Sequence, residues 1–160
     1  MIDAMDKAAG LSPDDAVFSA RRFRPEFVDG AELCRLSVLQ PKSDQGLAQG
    51  LRVALAHRMA ALNADQALIA EYGAQLAVLD PTEEVLALAR GATDLDEPLA
   101  TIARHVDLIT LAPIQADAKD IAKLTEAGLD NPQIVALSEL IAFVNFQTRV
   151  ATGLRLMRSA

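Results

Sequence analysis

The sequence is short of the residues that usually carry chemistry or hold small exported folds together. Among its 160 residues there are two histidines, one tyrosine, no tryptophan and a single cysteine, Cys34. One cysteine excludes an internal disulfide framework, which is the usual sign of an exported domain. Basic residues are also scarce, with 15 against 22 acidic residues and a net charge of −7. That balance argues against binding of a nucleic-acid backbone, which requires clustered Lys and Arg.

A leader peptide and a membrane-spanning segment are not predicted either. The first fifteen residues carry acidic side chains and no apolar stretch, unlike a secretory signal. The most apolar segment, residues 134–146, contains Glu139 and Asn145 and is shorter than the ~20 residues that a span needs. We therefore expect a buried core helix at this segment, in a soluble, cytoplasmic protein that binds neither nucleic acid nor a membrane.

What the sequence has in abundance favours helices. Alanine (30 residues) and leucine (23 residues) make up about a third of the chain. Both are strong helix formers, whereas strands favour β-branched and aromatic residues, so an all-α fold is predicted. The apolar periodicity predicts helices at about residues 13–22, 26–39, 45–62, 65–78, 82–90, 97–110, 115–127 and 132–157.

Prolines and glycines mark where these helices should begin and end. A residue able to cap a helix precedes proline at Ser12-Pro13, Asp80-Pro81 and Asn131-Pro132. We expect each of these side chains to cap the helix that follows. Gly91 and Gly128 follow apolar helical segments and are expected to end them in the left-handed conformation.

Two stretches of the chain resemble a known family. The first is LITLAPIQADAKDIAKLTEAGLDNPQIVALSELIAFVNFQTRVATGLRLM (residues 108–157), in which an AGLDNP connection precedes the phrase LIAFVNFQTRVATGL at Leu140–Leu154. The second is LRVALAHRMAALNADQALIAEYGAQLAVLDPTEEVLALARG (residues 51–91), whose Leu62-Asn63 pair lies where the family has a dipeptide before its redox motif. Both resemble the carboxymuconolactone decarboxylase and alkylhydroperoxidase D-like superfamily, and more closely its peroxidase-related branch.

The resemblance covers residues 45–157 and implies both a fold and an assembly. The implied fold is an all-α bundle of packed helical hairpins. The family assembles into dimers, trimers or hexamers, so we expect a homo-oligomer. Residues 1–40 are expected to form an N-terminal helical extension, and residues 41–160 the family's helical domain, within one structural domain overall.

The redox motif of the family is missing from this chain. Active peroxidases of the family resemble one another in a Glu, eleven intervening residues, Cys-x-x-Cys, three residues and a His. The resemblance implies that one thiolate attacks peroxide, the second cysteine resolves the sulfenic acid, and Glu and His relay protons. With Asn63 in register, these four positions are occupied by Val53, Asp65, Leu68 and Tyr72. A shift of one residue would bring Glu71 to the histidine position but would supply no cysteine, so a dithiol peroxidase mechanism is not expected.

Several residues of this region have two interpretations. Asp65 and Tyr72 could line a pocket for a small polar ligand, or Asp65 could cap a helix while Tyr72 packs among leucines. His57 could act as general acid or base in a decarboxylase-type reaction, with Glu71 or Tyr72, or could have an ordinary structural partner. We favour the structural interpretation of each. His57 and His105 lie far apart in sequence, so a metal site is not predicted. No cofactor is predicted either.

Three polar residues lie in the most apolar helix of the chain: Glu139, Asn145 and Arg149. A buried charge or amide needs a partner, so we expect these side chains to bond other helices or other subunits. A role in holding a ligand is the alternative.

One basic patch and one thiol stand apart from the motif region. The patch contains Arg21, Arg22 and Arg24, and we expect it to pair with acidic helices or to contact a subunit rather than to bind an anion. The thiol of Cys34 has apolar neighbours in sequence and is expected to be an ordinary buried side chain.

These observations lead to two hypotheses about function. The first is a redox-inactive member of the superfamily that acts as an oligomeric helical scaffold or as the partner of a related, cysteine-bearing peroxidase. The second is a cofactor-free enzyme, of the decarboxylase type or peroxidase-related, that acts on a small carboxylate, lactone or hydroperoxide. An enzyme should have a polar pocket near residues 53–72. A scaffold should have that region filled, with Val53, Leu68 and most of Tyr72 buried and Asp65 exposed or capping a helix.

Overall fold

The computed structural model describes residues 1–159, and every regular element in that range is helical. This confirms the predicted all-α fold. The α-helices are α1 (Ala4–Ala9), α2 (Ala16–Arg21), α3 (Pro25–Leu39), α4 (Gln49–Leu62), α5 (Gln66–Leu79), α6 (Glu83–Ala89), α7 (Leu99–Leu111), α8 (Ala118–Glu126) and α9 (Asn131–Arg158), with a 3₁₀ turn at Pro113–Gln115.

The largest departures from the predicted helices are near the N-terminus. Helix α1 was not predicted, because six residues are too few to show a helical period; its capping box of Asp3 and Asp6 is its clearest sequence signal. Helix α4 begins at Gln49, four residues later than expected. The predicted helix at 115–127 is shorter than expected: α8 begins at Ala118, where Asp117 caps it, and a 3₁₀ turn at Pro113–Gln115 precedes it.

The three expected proline caps are all displaced. Helix α9 is capped by Asp130 instead of Asn131, and α6 is capped by Thr82 instead of Asp80, whose left-handed backbone (φ 46°) ends α5. Helix α2 begins at Ala16, well after Ser12, without a side-chain cap. In α9 the proline occupies the second helical position, where its missing N–H still costs nothing because the first four N–H groups of a helix lack intrahelical partners.

The two expected glycine endings are present. Gly91 follows α6 with a φ of 92°, and Gly128 follows α8 with a φ of 98°. An L side chain is strained in this left-handed conformation, which explains why glycine ends these helices.

The core forms where α4 packs against α5, α6, α7 and α9. Helices α4 and α5 make a hairpin joined by residues 63–65. On α5, the buried side chains of Leu68, Tyr72 and Leu76 recur every four residues, which places them on one face of the helix. The motif region of the family resemblance therefore lies in the main hydrophobic core.

Helix α9 is the centre of the fold. It packs against the N-terminal helices α1, α2 and α3 as well as against α4, α7 and α8. By length and mean hydropathy (1.3 over 18 residues) it could cross a membrane, but 61% of that window is buried inside the protein, and a buried core helix meets the same criterion. Residues such as Leu137, Leu140 and Val144 are fully buried, as expected for the segment 134–146.

The basic patch is used inside the N-terminal segment. Arg21 bonds Asp3 at 2.8 Å and Asp6 at 2.7 Å, and Arg22 bonds Asp6 at 2.5 Å. Burial of Asp6 would raise its pKa, but hydrogen bonds from Arg22, the Asp3 backbone and Arg21 hold the pKa of this carboxyl below its usual value. The expected pairing with acidic residues is confirmed: Arg21 and Arg22 pair with carboxylates at the start of α1, and Arg24 pairs with Glu26 on α3.

Candidate functional site

The four positions of the missing redox motif lie at the α4–α5 hairpin, and side chains fill the space between the helices there. Val53 on α4 and Leu68 on α5 are fully buried, and Tyr72 is 1% exposed. The predicted burial of all three is confirmed. The cavities of the structure described below are lined by other residues.

Asp65 is held at the start of α5 by both backbone and side-chain partners. Its carboxylate accepts the backbone N–H of Leu68 at 3.2 Å and receives two bonds from Arg155, at 2.6 Å and 3.3 Å. Of the two expected outcomes, capping is correct and exposure is wrong, because Asp65 is only 4% exposed. Arg155 also donates to the carbonyl of Ala8 at 2.8 Å, so α9, α5 and α1 meet at this guanidinium.

Tyr72 directs its hydroxyl to a buried amide. The phenol donates to Oε1 of Gln147 on α9 at 2.5 Å, and both side chains are at most 1% exposed. Burial raises the pKa of Tyr72 well above its ordinary value. The Tyr72 hydroxyl therefore stays protonated near neutral pH and donates its proton to Gln147. A phenol in this state cannot act as a base. Sequence reasoning missed Gln147, since nothing in the sequence connects it to a tyrosine 75 positions away.

A hydrogen bond between two asparagine side chains also joins the hairpin to α9. Nδ2 of Asn63 donates to Oδ1 of Asn145 at 3.1 Å, and Nδ2 of Asn145 donates to the carbonyl of Ile141 at 3.0 Å. Asn145 thus bonds across helices, as expected. Glu139 and Arg149 behave differently, because both are exposed and neither forms an ion pair with any residue of the range 1–159.

His57 is occupied with the end of α6. Its Nδ1 lies 3.0 Å from the carbonyl oxygen of Ala89, and because a carbonyl can only accept, this nitrogen carries the proton. The neighbouring Arg58 donates to the carbonyls of Leu88 and Ala92, both at 3.0 Å, and forms two bonds with Asp107 at 2.6 Å and 2.7 Å. These side chains fix α6 against α4 and α7. Sequence reasoning missed Arg58, whose partners all lie 30 or more residues away.

Glu71 lies half-buried on α5, near charged residues of α1 and α3. Burial raises its pKa, and Arg35 and Lys7 partly oppose that effect. Arg35 itself is bound to Glu32 at 2.7 Å and 2.9 Å. Glu71 shares no hydrogen bond with His57 or Tyr72, so the three candidates for acid–base catalysis do not form one bonded group among the residues described.

The expectation that Cys34 is buried is wrong, because its side chain is exposed. Helix α3 contacts the core mainly through Val38 and Leu39 at its C-terminal end, so apolar residues earlier in the helix stay at the surface; Leu33, for example, is 67% exposed. Between α3 and α9 lies an open groove with a volume of about 680 Å³. Its main lining residues are Phe27, Leu33, Cys34, Ala142, Phe143 and Phe146.

His105 on α7 is the remaining histidine, and it lies apart from the motif region. It is buried between two smaller cavities near α8, and its Nδ1 has no hydrogen-bond partner among the residues described. Burial lowers its pKa, against a smaller opposing effect of Asp120. Within residues 1–159 no three His, Cys, Asp or Glu side chains are grouped as metal ligands would be.

Comparisons with known proteins identify the fold. No family model matches the sequence, and no curated protein matches it either. A solved structure, that of an uncharacterized peroxidase-related protein from Silicibacter sp. TM1040, superposes with a TM-score of 0.71 over 87% of this chain and 73% of that chain. The two sequences are 20% identical, so the likeness shows a shared fold alone. Membership of the superfamily stays a prediction from the motifs.

Proposed function

We propose that this protein is a redox-inactive member of the superfamily, which works by association. In this proposal it is an oligomeric helical scaffold, or the partner of a related peroxidase that has cysteines. The observation that carries the proposal is the packing of the motif region, where Val53 and Leu68 are fully buried and Tyr72 is bonded to Gln147. A site that is to accept a hydroperoxide needs an open space there, which these side chains occupy.

The thiol chemistry supports the same proposal. Reduction of a peroxide by a dithiol needs a thiolate, a second cysteine to resolve the sulfenic acid, and groups that relay protons. The chain has only Cys34, which lies on α3 in the groove with α9 and not on the α4–α5 hairpin. No second cysteine exists to complete an intramolecular cycle.

The polar groups near the motif positions bond other helices of the chain, which suits a rigid scaffold better than a catalytic site. Asp65 bonds Arg155, Tyr72 bonds Gln147 and Asn63 bonds Asn145. Each pair joins the α4–α5 hairpin to α9 and leaves little capacity for a ligand. A rigid shape of this kind suits a protein that presents fixed surfaces to a partner.

One observation favours the alternative of a cofactor-free, decarboxylase-type enzyme. Burial raises the pKa of Glu71 in a polar cluster that includes Arg35, and perturbed carboxyl groups are common among acid–base catalysts. The same shift is expected for a structural carboxyl held under the N-terminal helices. The Tyr72 hydroxyl bonds Gln147, and His57 bonds the carbonyl of Ala89. Neither group is bonded to Glu71, so Glu71 lacks a second acid–base group to work with.

A peroxidase assay tests the proposal. Purified protein is mixed with an alkyl hydroperoxide and a dithiol reductant, and hydroperoxide loss is followed beside a Cys34→Ser variant whose folding is checked by circular dichroism. We expect both proteins to consume hydroperoxide at the rate of buffer alone. Turnover by the natural chain that disappears in Cys34→Ser would contradict redox inactivity. Light scattering of the same samples tests self-association, and a monomer at micromolar concentration would contradict the oligomeric scaffold.

A further inference from the structure

Helix α9 carries a continuous exposed stripe. Six of the exposed residues of α9 recur at alternating intervals of four and three, the spacing of a helix seam that meets another helix. The stripe consists of Val135, Glu139, Ala142, Phe146, Arg149 and Gly153. The opposite side of the helix lies in the core, so this stripe runs along the side of α9 that the described residues leave uncovered, with exposed Ser138 and Thr152 beside it.

The stripe is self-complementary about its middle. Counted from Val144, Glu139 and Arg149 lie five positions away on opposite sides, and Ala142 and Phe146 lie two positions away. Val135 and Gly153 lie nine positions away. The first of these pairs joins an acidic residue with a basic one. Each of the other two pairs joins a small side chain with a larger one. A surface of this kind complements its own copy after a two-fold rotation.

We propose that a second copy of this chain lies antiparallel on this stripe, across a two-fold axis near Val144. Glu139 of each copy then faces Arg149 of the other, at about 7–8 Å along the helix on either side of the axis. This inference rests on the proposed function, because it assigns the surface and the register of the self-association.

The charges on the stripe favour an antiparallel over a parallel arrangement of the two copies. Glu139 and Arg149 are exposed and form no ion pair with any residue from 1 to 159, whereas the other two charged residues of α9 do: Arg155 pairs with Asp65 and Arg158 with Asp15. In an antiparallel pair, Glu139 of each copy faces Arg149 of the other, so two ion pairs form across the interface. A parallel pair would set Glu139 against Glu139 and Arg149 against Arg149, and like charges in contact are unfavourable.

The shapes fit the same arrangement. Phe146 of one copy lies opposite Ala142 of the other, at the wall of the groove between α3 and α9. Phe27 and Leu33 on α3 are 60% and 67% exposed, and they flank this groove, so a second copy would cover them as well. Gly153 has no atom within 4 Å of the position of a Cβ, which leaves room for Val135 of the second copy.

Charge reversal tests this pairing. Four variants are compared with the natural chain by analytical ultracentrifugation: Glu139→Arg, Arg149→Glu, the double reversal, and Glu84→Arg as a matched control on exposed α6. Either single reversal should raise the dissociation constant of the two-fold pair at least about tenfold, because it places like charges together. The double reversal should return the constant to within about threefold of the natural value, and Glu84→Arg should leave it unchanged. Circular dichroism confirms that each variant is folded.

The outcomes separate this inference from the proposed function. A natural chain that associates but is insensitive to the single reversals would overturn the α9 pairing and leave the scaffold proposal standing. Single reversals that weaken association without rescue by the double reversal would also overturn it, since the two residues would then not face each other. A trimer would exclude the two-fold axis. A monomeric natural chain would overturn both this pairing and the oligomeric scaffold.

Discussion

Arg155, near the end of α9, places its guanidinium 2.6 Å from the carboxylate of Asp65, which caps the start of α5. Asp65 occupies the position where the family resemblance expects the first cysteine of the redox motif. A buried carboxylate, paired with a guanidinium 90 residues later in the chain, therefore occupies this position. The ion pair locks the hairpin to α9 and to the backbone of α1.

Removal of this carboxylate should therefore destabilise the fold. Asp65→Ala loses a helix cap, worth about 1 kcal/mol, and leaves the partly buried guanidinium of Arg155 without its partner. We expect a loss of about 2–3 kcal/mol in the free energy of unfolding, measured by urea denaturation. Arg24→Ala, which breaks the exposed pair with Glu26, is the control and should show no measurable change. An equal effect of the two variants would show that the Asp65–Arg155 pair is not structural.

Introduction of the redox motif of the resembled family should not be tolerated by this core. The variant Val53→Glu, Asp65→Cys, Leu68→Cys puts a carboxyl at a fully buried position and removes the Asp65 cap. We expect Val53→Glu alone to cost at least about 3 kcal/mol, because it places a carboxyl at a fully buried position of the main hydrophobic core. Val78→Glu on the exposed side of α5 is the matched control and should be nearly neutral, since Val78 is 85% exposed. A stable Val53→Glu variant would indicate an open, hydrated space at the hairpin.

The acid sensitivity of the N-terminal segment should depend on Asp6. Its pKa is held below the ordinary value of about 3.9, so the unfolded chain takes up its proton before the folded chain does. The stability that Asp6 contributes is complete above about pH 5 and is lost as the pH falls through the folded pKa. Asp6→Asn should be less stable than the natural chain at pH 7, and the difference should shrink toward pH 3.

Urea denaturation across this pH range measures the effect, with Asp14→Asn, an exposed aspartate of the same segment, as the control. The control should keep the natural pH profile. A difference between Asp6→Asn and the natural chain that stays constant from pH 7 to pH 3 would contradict the role given to the ionised carboxylate.

The fold and the closure of the site were largely predictable, because they depend on patterns within single helices. Leu68 and Tyr72 lie four residues apart, so a helical period places both in the core. Asp65 stands just before an apolar helical run, which predicts a cap. Its partner Arg155 was not predictable, because a pairing over 90 positions depends on how α9 crosses α5.

Residues whose environment depends on tertiary packing were predicted poorly. Cys34 has apolar neighbours in sequence, which suggested burial, but α3 packs on the core mainly through its last turn. Glu139 and Arg149 lie in the most apolar helix, yet both are exposed on the side that the chain itself leaves uncovered. Periodicity identifies a face of a helix, and only the packed fold shows what covers that face.

Tyr72 offers the most direct test of the claim that the motif region is a closed core, because it is the only tyrosine of the chain. Its ionisation can be followed by near-ultraviolet absorbance during an alkaline titration, while circular dichroism reports folding. We predict that phenolate appears only as the protein unfolds, and that the urea-unfolded chain titrates near the ordinary value of about 10. Phenolate that forms near pH 10 in the folded protein would contradict the account, because it would show that water reaches the hydroxyl at this site.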